Sequence, residues 1–335
     1  MGVIMVVGGQ YGGEGKGKVT SYLSITDKPA IVARNGGTNS GHTVCYQGKK
    51  YALRMVPSGM VYERAKLLLG AGALVDPEVL IREVKDLRVG HRLGVDYEAG
   101  VITPLHKEKE LKNNHLRQKV GSTCSGTGVA ESDRVLRTLR LAKQLNELKP
   151  FLTDVVCEIN EAADNGSIVL IEGTQGLGLS LYHGSYPYVT SYDTSASSIA
   201  GHLGLGPKKI DEVIVVVRTF PIRVAPGPLK NELQPEEIRR IGIMEQGTVT
   251  GRQRRVGRFG MELVKRAILV NSATQIALTG VDYLNANTRG KREYGQLPSD
   301  VRSFISKIEN ETKTPVTLIS TGPETESMID LRGNV

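Results

Sequence analysis

The sequence predicts an α/β fold with a mainly parallel central sheet flanked by helices, and two features of its patterning carry that reading. Residues 3–7 (VIMVV) and 213–217 (VIVVV) are unbroken apolar runs, and residues 168–171 (IVLI) form a third. Short runs without alternation belong to strands covered on both faces, as in parallel sheets. Between them, residues 132–148 and 259–278 carry Leu, Val and Ala at three- and four-residue spacing and are predicted as helices. Each apolar run ends near glycine or polar residues, where strands of such a sheet feed ligand-binding loops. With no internal repeat and no linker-like stretch, residues 1–335 read as one domain.

Composition narrows the partners. Lys and Arg total 43 against 35 acidic residues, a formal charge of +8 that suits ligands rich in phosphate or carboxylate. A basic surface that merely aids solubility would read the same. Trp is absent and aromatics make up 5%, which argues against a stacking platform for single-stranded nucleic acid. Cys45, Cys124 and Cys157 lie far apart with no CxxC pair, so neither a disulfide framework nor a zinc site is expected, and a reducing cytoplasm is. The opening MGVIMVVGG turns polar too soon for a signal peptide, and no apolar run approaches a membrane span. The expectation is a cytoplasmic protein acting on small anionic molecules, with neither nucleic acid nor membrane as partner.

The first apolar run leads straight into GGQYGGEGKGKV, residues 8–19, which contains Gly12-x4-Gly17-Lys18, the spacing of a phosphate-binding loop. Glycines let backbone amides turn toward phosphate oxygens, the following helix offers its N-terminus, and lysine adds a point charge. Gly12, Gly13, Glu14, Gly15, Lys16, Gly17 and Lys18 are therefore candidates for binding a nucleoside triphosphate. Val19 stands where the usual loop has a magnesium-binding Ser or Thr. A functionless glycine turn is the plain alternative; strand, glycines, two lysines and helical pattern in the required order argue against it.

That loop resembles the opening of the adenylosuccinate synthetase family, Q-W-G-D-E-G-K-G-K, and the likeness continues along nearly the whole chain. NGGTNSGHTV at 35–44 resembles the family's second signature, with Gly41, His42 and Thr43 as its Gly-His-Thr. GSTCSGTG at 121–128 resembles its threonine–glycine loop, and EGTQG at 172–176 and YPYVTS at 186–191 match closely. TGRQRR at 250–255 resembles the arginine-rich aspartate loop, Asp282 falls at the donor-base position, and STGP at 320–323 closes the set. The compact length resembles the archaeal branch.

The resemblance implies a P-loop-like fold of the adenylosuccinate synthetase type and a ligase that joins L-aspartate to carbon 6 of a 6-oxopurine nucleotide. In that reaction the γ-phosphoryl of a triphosphate is transferred to the purine oxygen, and the aspartate amine then displaces phosphate. A loop carboxylate takes the N1 proton, a histidine stabilises the moving phosphoryl, and Mg2+ neutralises charge. Carried over motif by motif, catalysis falls to His42, Lys16, Gln175 and position 13, and the metal to Gly13 and the Gly41 carbonyl. The donor triphosphate would engage the loop together with Gly41, His42, Thr43, Arg254, Asp282, Ser320 and Gly322. The substrate nucleotide would engage Asn39, Ser122, Thr123, Gln175, Thr190 and Arg252, with Arg137 of the partner subunit of a homodimer reaching its 5′-phosphate. Aspartate would fall to Thr248, Val249, Thr250, Gly251, Arg252 and Arg254, where paired arginine N–H groups suit its two carboxylates. A solvated basic patch or a nucleic-acid contact is the alternative for RQRR.

One departure outweighs the others. Where the family loop reads Gly-Asp-Glu-Gly, this chain has Gly12-Gly13-Glu14-Gly15, so the general-base carboxylate is missing and chemistry on inosinate should suffer. Three explanations are open: a relative kept only for binding, a substitute base such as Glu14 or water, or a changed substrate. The retained His42, loop lysines, Gln175 and arginines argue against the first. The third is favoured, because the lost carboxylate would lie against N1 and carbon 2, and glycine there opens room for the 2-amino group of guanine. With that change the sequence most resembles a phage branch of the family, and the resemblance implies that aspartate is joined to deoxyguanylate, with ATP or dATP as donor, giving N6-succino-2-amino-2′-deoxyadenylate. A phage origin would put the protein in a host cytoplasm. Ordinary synthesis from inosinate and GTP is the alternative. The family's Lys-x-Asp at the donor base is here Gly280-Val281-Asp282, in line with an adenine donor, and Ala225-Pro226 replace a Gly-Ala pair in the sugar-sensing loop.

Overall fold

Along the buried apolar runs, side chains alternate between two faces, and both faces are covered. The computed structural model describes residues 2–224, 226–243 and 254–334. Its centre is a ten-stranded sheet. In chain order the strands are β1 (Val3–Gly8), β2 (Ile31–Arg34), β3 (Lys66–Leu69), β4 (Leu93–Asp96), β5 (Leu152–Thr153), β6 (Val169–Glu172), β7 (Ile210–Arg218), β8 (Gln275–Thr279), β9 (Val316–Ser320) and β10 (Met328–Asp330). The spatial order is β10-β9-β8-β7-β1-β6-β2-β3-β4-β5, with β1 at the middle. Every pairing in it is parallel except β9 with β10. The expected fold class is the observed one.

Five helices matter for the site and the core: α1 (Lys16–Asp27), α2 (Pro104–Lys112), α3 (Thr127–Val135), α4 (Met261–Asn271) and α5 (Ser299–Thr312). Ile4, Val6, Val32, Leu67, Leu170, Ile214 and Val216 face one side of the sheet, with Val19 and Leu23 of α1 in the same cluster. Val3, Met5, Val7, Ile171, Val215 and Val217 face the other, clustered with Val264 and Ala267 of α4 and Ile305 and Ile308 of α5. Each such side chain contributes roughly 1.5–3 kcal/mol on full burial, so a polar substitution in β1 would cost more than the packing it removes. Among the described residues no helix is long and apolar enough to cross a membrane.

Two predicted helices are corrected. Residues 132–148 are not one helix: α3 ends at Val135, Arg137 adopts φ 63, and short 3-10 turns follow at Ala142–Gln144 and Asn146–Phe151. The leucines mimic helical spacing while serving separate patches. Leu139 packs beside Leu74 and Ile102, whereas Leu145 and Leu148 join the main sheet-face core. Residues 259–278 split as well. The helix stops at Asn271, Ser272 turns left-handed at φ 49, and Gln275–Thr279 becomes β8. There the apolar run Ile276-Ala-Leu278 continued the helical spacing by chance while belonging to a buried strand.

Candidate active site

The strand β1 lies between β6 and β7, so the glycine-rich loop after Gly8 emerges at the carboxyl edge of the sheet's middle, where open parallel sheets bind ligands. Gly12 and Gly15 both take φ 90, which only glycine adopts without strain. Glu14 turns inward and is 1% exposed. Its Oε1 accepts from the amides of Gln10 (2.9 Å) and Gly12 (2.8 Å), and Oε2 from Lys16 Nζ (2.9 Å). Thr279 Oγ1 donates to the Glu14 carbonyl at 2.6 Å, tying the loop to β8. This carboxylate shapes the loop, with three donors on its two oxygens. Lys18, at the start of α1, donates to Ser320 Oγ (2.6 Å), the Gly322 carbonyl and the Ser327 carbonyl (2.8 Å). Burial pulls its ammonium down to about 7, with Asp282 opposing. Lys18, Ser320 and Gly322, all expected around the donor, thus come together, though through one another.

His42 begins the hairpin strand His42–Tyr46, and Glu172 ends β6. The two buried side chains meet at 2.6 Å, Nδ1 to Oε1, and Glu172 Oε2 accepts from the Ser58 amide at 2.8 Å. Burial drives the imidazole down to about 4, with Glu172 opposing and Arg34 adding to the depression. Burial alone would raise Glu172, but His42, Arg34 and the Ser58 amide hold it down at about 2. At neutral pH the ring is therefore uncharged, its Nδ1–H donated to Glu172. Nε2 is buried without a hydrogen-bond partner among the described residues and lines the cavity below. Such a nitrogen can accept a proton or, once protonated, bear on a phosphoryl group.

A cavity of about 320 Å³ opens beside the loop. It brings together Asn39, Ser122, Thr123, Gln175 and Thr190, five of the seven residues expected around the substrate nucleotide, with Gly12, Gly13, Gly41, His42 and Arg254, which were expected around the donor, the chemistry or aspartate. Gln175 is held at φ 61 and its Oε1 lies 3.3 Å from where a Cβ on Gly12 would stand, so the amide is laid against the loop. Asn39 Nδ2 donates to Thr190 Oγ1 at 3.3 Å, and Thr123 Oγ1 meets Ser125 Oγ at 2.8 Å. At Gly13, a Cβ would stand 3.2 Å from Ile222 Cβ, so the space freed by glycine is bounded by that side chain rather than open. Arg137 is exposed and does not line the cavity. Asp282 is buried and also outside it, with Arg289 at 3.8 Å. Thr248, Val249, Thr250, Gly251 and Arg252 lie outside the described residues.

Three structural partners escaped the sequence reading. Glu172 opens the EGTQG motif, and an acid closing a buried apolar run was a signal that could have found it. Arg223 is fully buried; it donates to the carbonyls of Pro226 (2.9 Å), Pro228 (3.2 Å) and Tyr188 (2.6 Å), with its guanidinium 4.9 Å over the Tyr11 ring. Glu110 is the one carboxylate lining the cavity among the described residues, and its oxygens accept from Ser122, Gly126 and Gly128.

The family profile described as adenylosuccinate synthetase matches residues 5–146 and 136–289. The chain belongs to the adenylosuccinate synthetase family. It is an enzyme, a ligase that forms a C–N bond. The adenylosuccinate synthetase of Methanocaldococcus jannaschii is 55% identical over 335 residues, 99% of this chain and 97% of that protein. That of Thermococcus sibiricus is 52% identical over 335 residues, 99% of each. Among solved structures, fully ligated adenylosuccinate synthetase from Plasmodium falciparum matches with TM-score 0.91 and 26% identity, over 98% of this chain and 100% of that one. Cyanophage S-2L succinoaminodeoxyadenylate synthetase (PurZ), bound to dGMP and dATP as an energy donor, matches with TM-score 0.83 and 26% identity, over 98% and 95%. The archaeal likeness is borne out. Placement nearest the phage branch is corrected, since identity to the archaeal enzymes is 55% and 52% against 26% for the phage one.

Adenylosuccinate synthetases generally use Mg2+, and the donor set can be tested against it. Among the described residues no three His, Cys, Asp or Glu side chains gather to hold an ion. Mg2+ keeps several waters and leans on substrate phosphates with few protein oxygens. The residues present fit an ion of that kind, and Gly41, whose carbonyl was expected to meet it, lines the cavity. Gly13 offers only a backbone carbonyl, which already accepts from Arg218 Nη1 at 3.4 Å.

Proposed function

We propose that the chain joins L-aspartate to carbon 6 of deoxyguanylate, driven by ATP or dATP through a 6-phosphorylated purine. The observation that carries the substrate choice is Gly13, set in a cavity where the only carboxylate among the described residues is already bound to three donors. A carboxylate at position 13 would face N1 and carbon 2 of the ring; glycine leaves that edge to a 2-amino group. A protein of the same fold is bound to dGMP and dATP. The second reading is synthesis of adenylosuccinate from inosinate and GTP. Similarity along the whole chain favours it, since the archaeal relatives that match end to end are named for that product.

In either reading the residues divide the work in the same way. The loop from Gly12 to Lys16 and the Gly41 backbone face the triphosphate, and Mg2+, when bound, supplies charge neutralisation there. His42, steadied by Glu172, bears on the transferring phosphoryl. Gln175 orients the purine edge by donating and accepting at once. Ser122, Thr123, Asn39 and Thr190 take the 5′-phosphate end, joined across a homodimer by Arg137 of the partner subunit. Arg254, with Arg252 in the same motif, takes the aspartate carboxylates.

The test is a product assay by mass spectrometry with aspartate and Mg2+, pairing deoxyguanylate or inosinate with ATP, dATP and GTP. A succinylated 2-aminopurine nucleotide from deoxyguanylate, with little product from inosinate, is expected. Adenylosuccinate from inosinate with deoxyguanylate inert would overturn the substrate assignment and leave the second reading.

A further inference from the structure

We propose that Glu110 is the positioning residue for the phosphate end of the substrate cavity. It holds the 121–128 loop in register and docks the helix that leads to Arg137. This deepens the reading above, in that it takes the 121–128 loop to face the phosphate of the nucleoside monophosphate.

Glu110 and His106 stand one turn apart on the same face of α2. The Glu110 side chain is buried, with Oε2 accepting from Ser122 Oγ (3.2 Å) and the Gly126 amide (2.7 Å). Oε1 accepts from the Gly128 amide at 2.7 Å. Gly126 is the cap of α3, at φ 80, so these amides belong to the helix N-terminus, where unpaired N–H groups attract an anion. In many nucleotide sites they would be offered to the ligand's phosphate. Here an internal carboxylate occupies them, and the ligand is left the hydroxyls around them. Thr127 Oγ1 is buried without a partner among the described residues, and Thr123 Oγ1 meets only Ser125 Oγ.

His106 supplies the second grip. Its Nδ1 accepts from the Thr103 amide at 3.0 Å, so the ring hydrogen sits on Nε2, which faces Asp133 Oδ2 at 3.1 Å. The helix α2 thus holds α3 both at its cap and near its far end, two residues before Val135. Arg137 follows directly, exposed. One carboxylate therefore fixes both the loop hydroxyls and, through α3, the start of the segment that presents Arg137. A carboxylate in the wall of a phosphate site would repel the ligand if bare; three N–H and O–H donors spread its charge.

The test is steady-state kinetics of the full-length protein carrying Glu110→Gln or Glu110→Asp, with the monophosphate the wild type turns over. Gln keeps the size but turns one acceptor into a donor facing an amide. It should raise KM for the monophosphate about tenfold, the usual scale for one charge-assisted hydrogen bond. KM for the triphosphate and aspartate, and kcat, should stay within about twofold by the same scale. Asp keeps the charge but loses reach, so its KM should fall between wild type and Gln; if Gln does not fold, Asp decides. A uniform rise in all three KM values, or a fall in kcat at unchanged KM, would overturn the positioning role. A wild type active on inosinate alone would overturn the deoxyguanylate assignment while leaving Glu110 to be judged on inosinate. A wild type active on neither would overturn both.

Discussion

At position 13 the backbone carries a hydrogen where the family loop has a carboxylate, and Ile222 limits what can be restored there. Gly13→Asp should raise turnover of inosinate, by about 10² as expected for regaining a general base, while impairing deoxyguanylate. Because Ile222 Cγ2 lies 3.4 Å from the new Cβ, the gain should grow when Ile222→Ala, which removes that methyl, is added. Equal loss on both nucleotides, measured as kcat/KM, would sink the pocket argument. Beside it, Glu172→Gln keeps a hydrogen-bonding group next to His42 but removes the charge that orients the ring. It should lower kcat about 10²-fold with little change in KM. The same pair governs acid stability. Burial depresses His42 to about 4 from its ordinary 6.5, so the unfolded chain binds its proton first. The stability this contributes is complete above pH 6.5 and lost as the pH falls through 4, on the order of 3 kcal/mol. Denaturant titrations of wild type and His42→Gln should converge across that window; parallel curves would show that another group sets the acid limit.

Elements were legible where burial alone decides their type. The runs at 3–7, 168–171 and 213–217 became the cores of β1, β6 and β7 because continuous apolar residues suit a strand covered on both faces. Where one run of leucines serves several patches, spacing misled, as at Leu139, Leu145 and Leu148. Most of the cavity wall was legible because motifs mark it. Glu110 and Glu172 were not, because their partners are 12 or more residues away in sequence, and Arg223 was not, because its tie to the Tyr188 carbonyl spans 35 residues; no local spacing announces such pairings. Lys18 illustrates the limit: its place in the loop suggested phosphate, while its amine ties α1 to the segment after β9. Lys18→Met should therefore destabilise the ligand-free protein by about 2–4 kcal/mol, as three acceptors lose their partner. An unchanged melting temperature without ligand would mean that Lys18 serves bound phosphate alone.

For the whole molecule, the question is whether one chain completes its own site. Arg137 stands at the end of α3, outside the cavity, flanked by Val135 and Leu136 that are 64% and 65% exposed. On α2, gripped to α3 through Glu110 and His106, Leu105 and Leu111 are 55% and 53% exposed. Apolar side chains left in water around a cation suit a surface that a second copy covers. In a two-fold dimer each Arg137 would then enter the other subunit's phosphate site. Mixing inactive variants separates the alternatives. Let one subunit carry His42→Asn and the other Arg137→Ala. In a mixed dimer with crossing arginines, one site loses both groups, and the other keeps its own His42 and receives an intact Arg137. Random exchange makes half the dimers mixed, so activity should return to roughly a quarter of wild type. If Arg137 serves its own chain, both sites of every mixed dimer stay defective and nothing returns. Sedimentation of the mixture would show whether subunits had exchanged, so that a silent assay with exchange complete counts against the crossing.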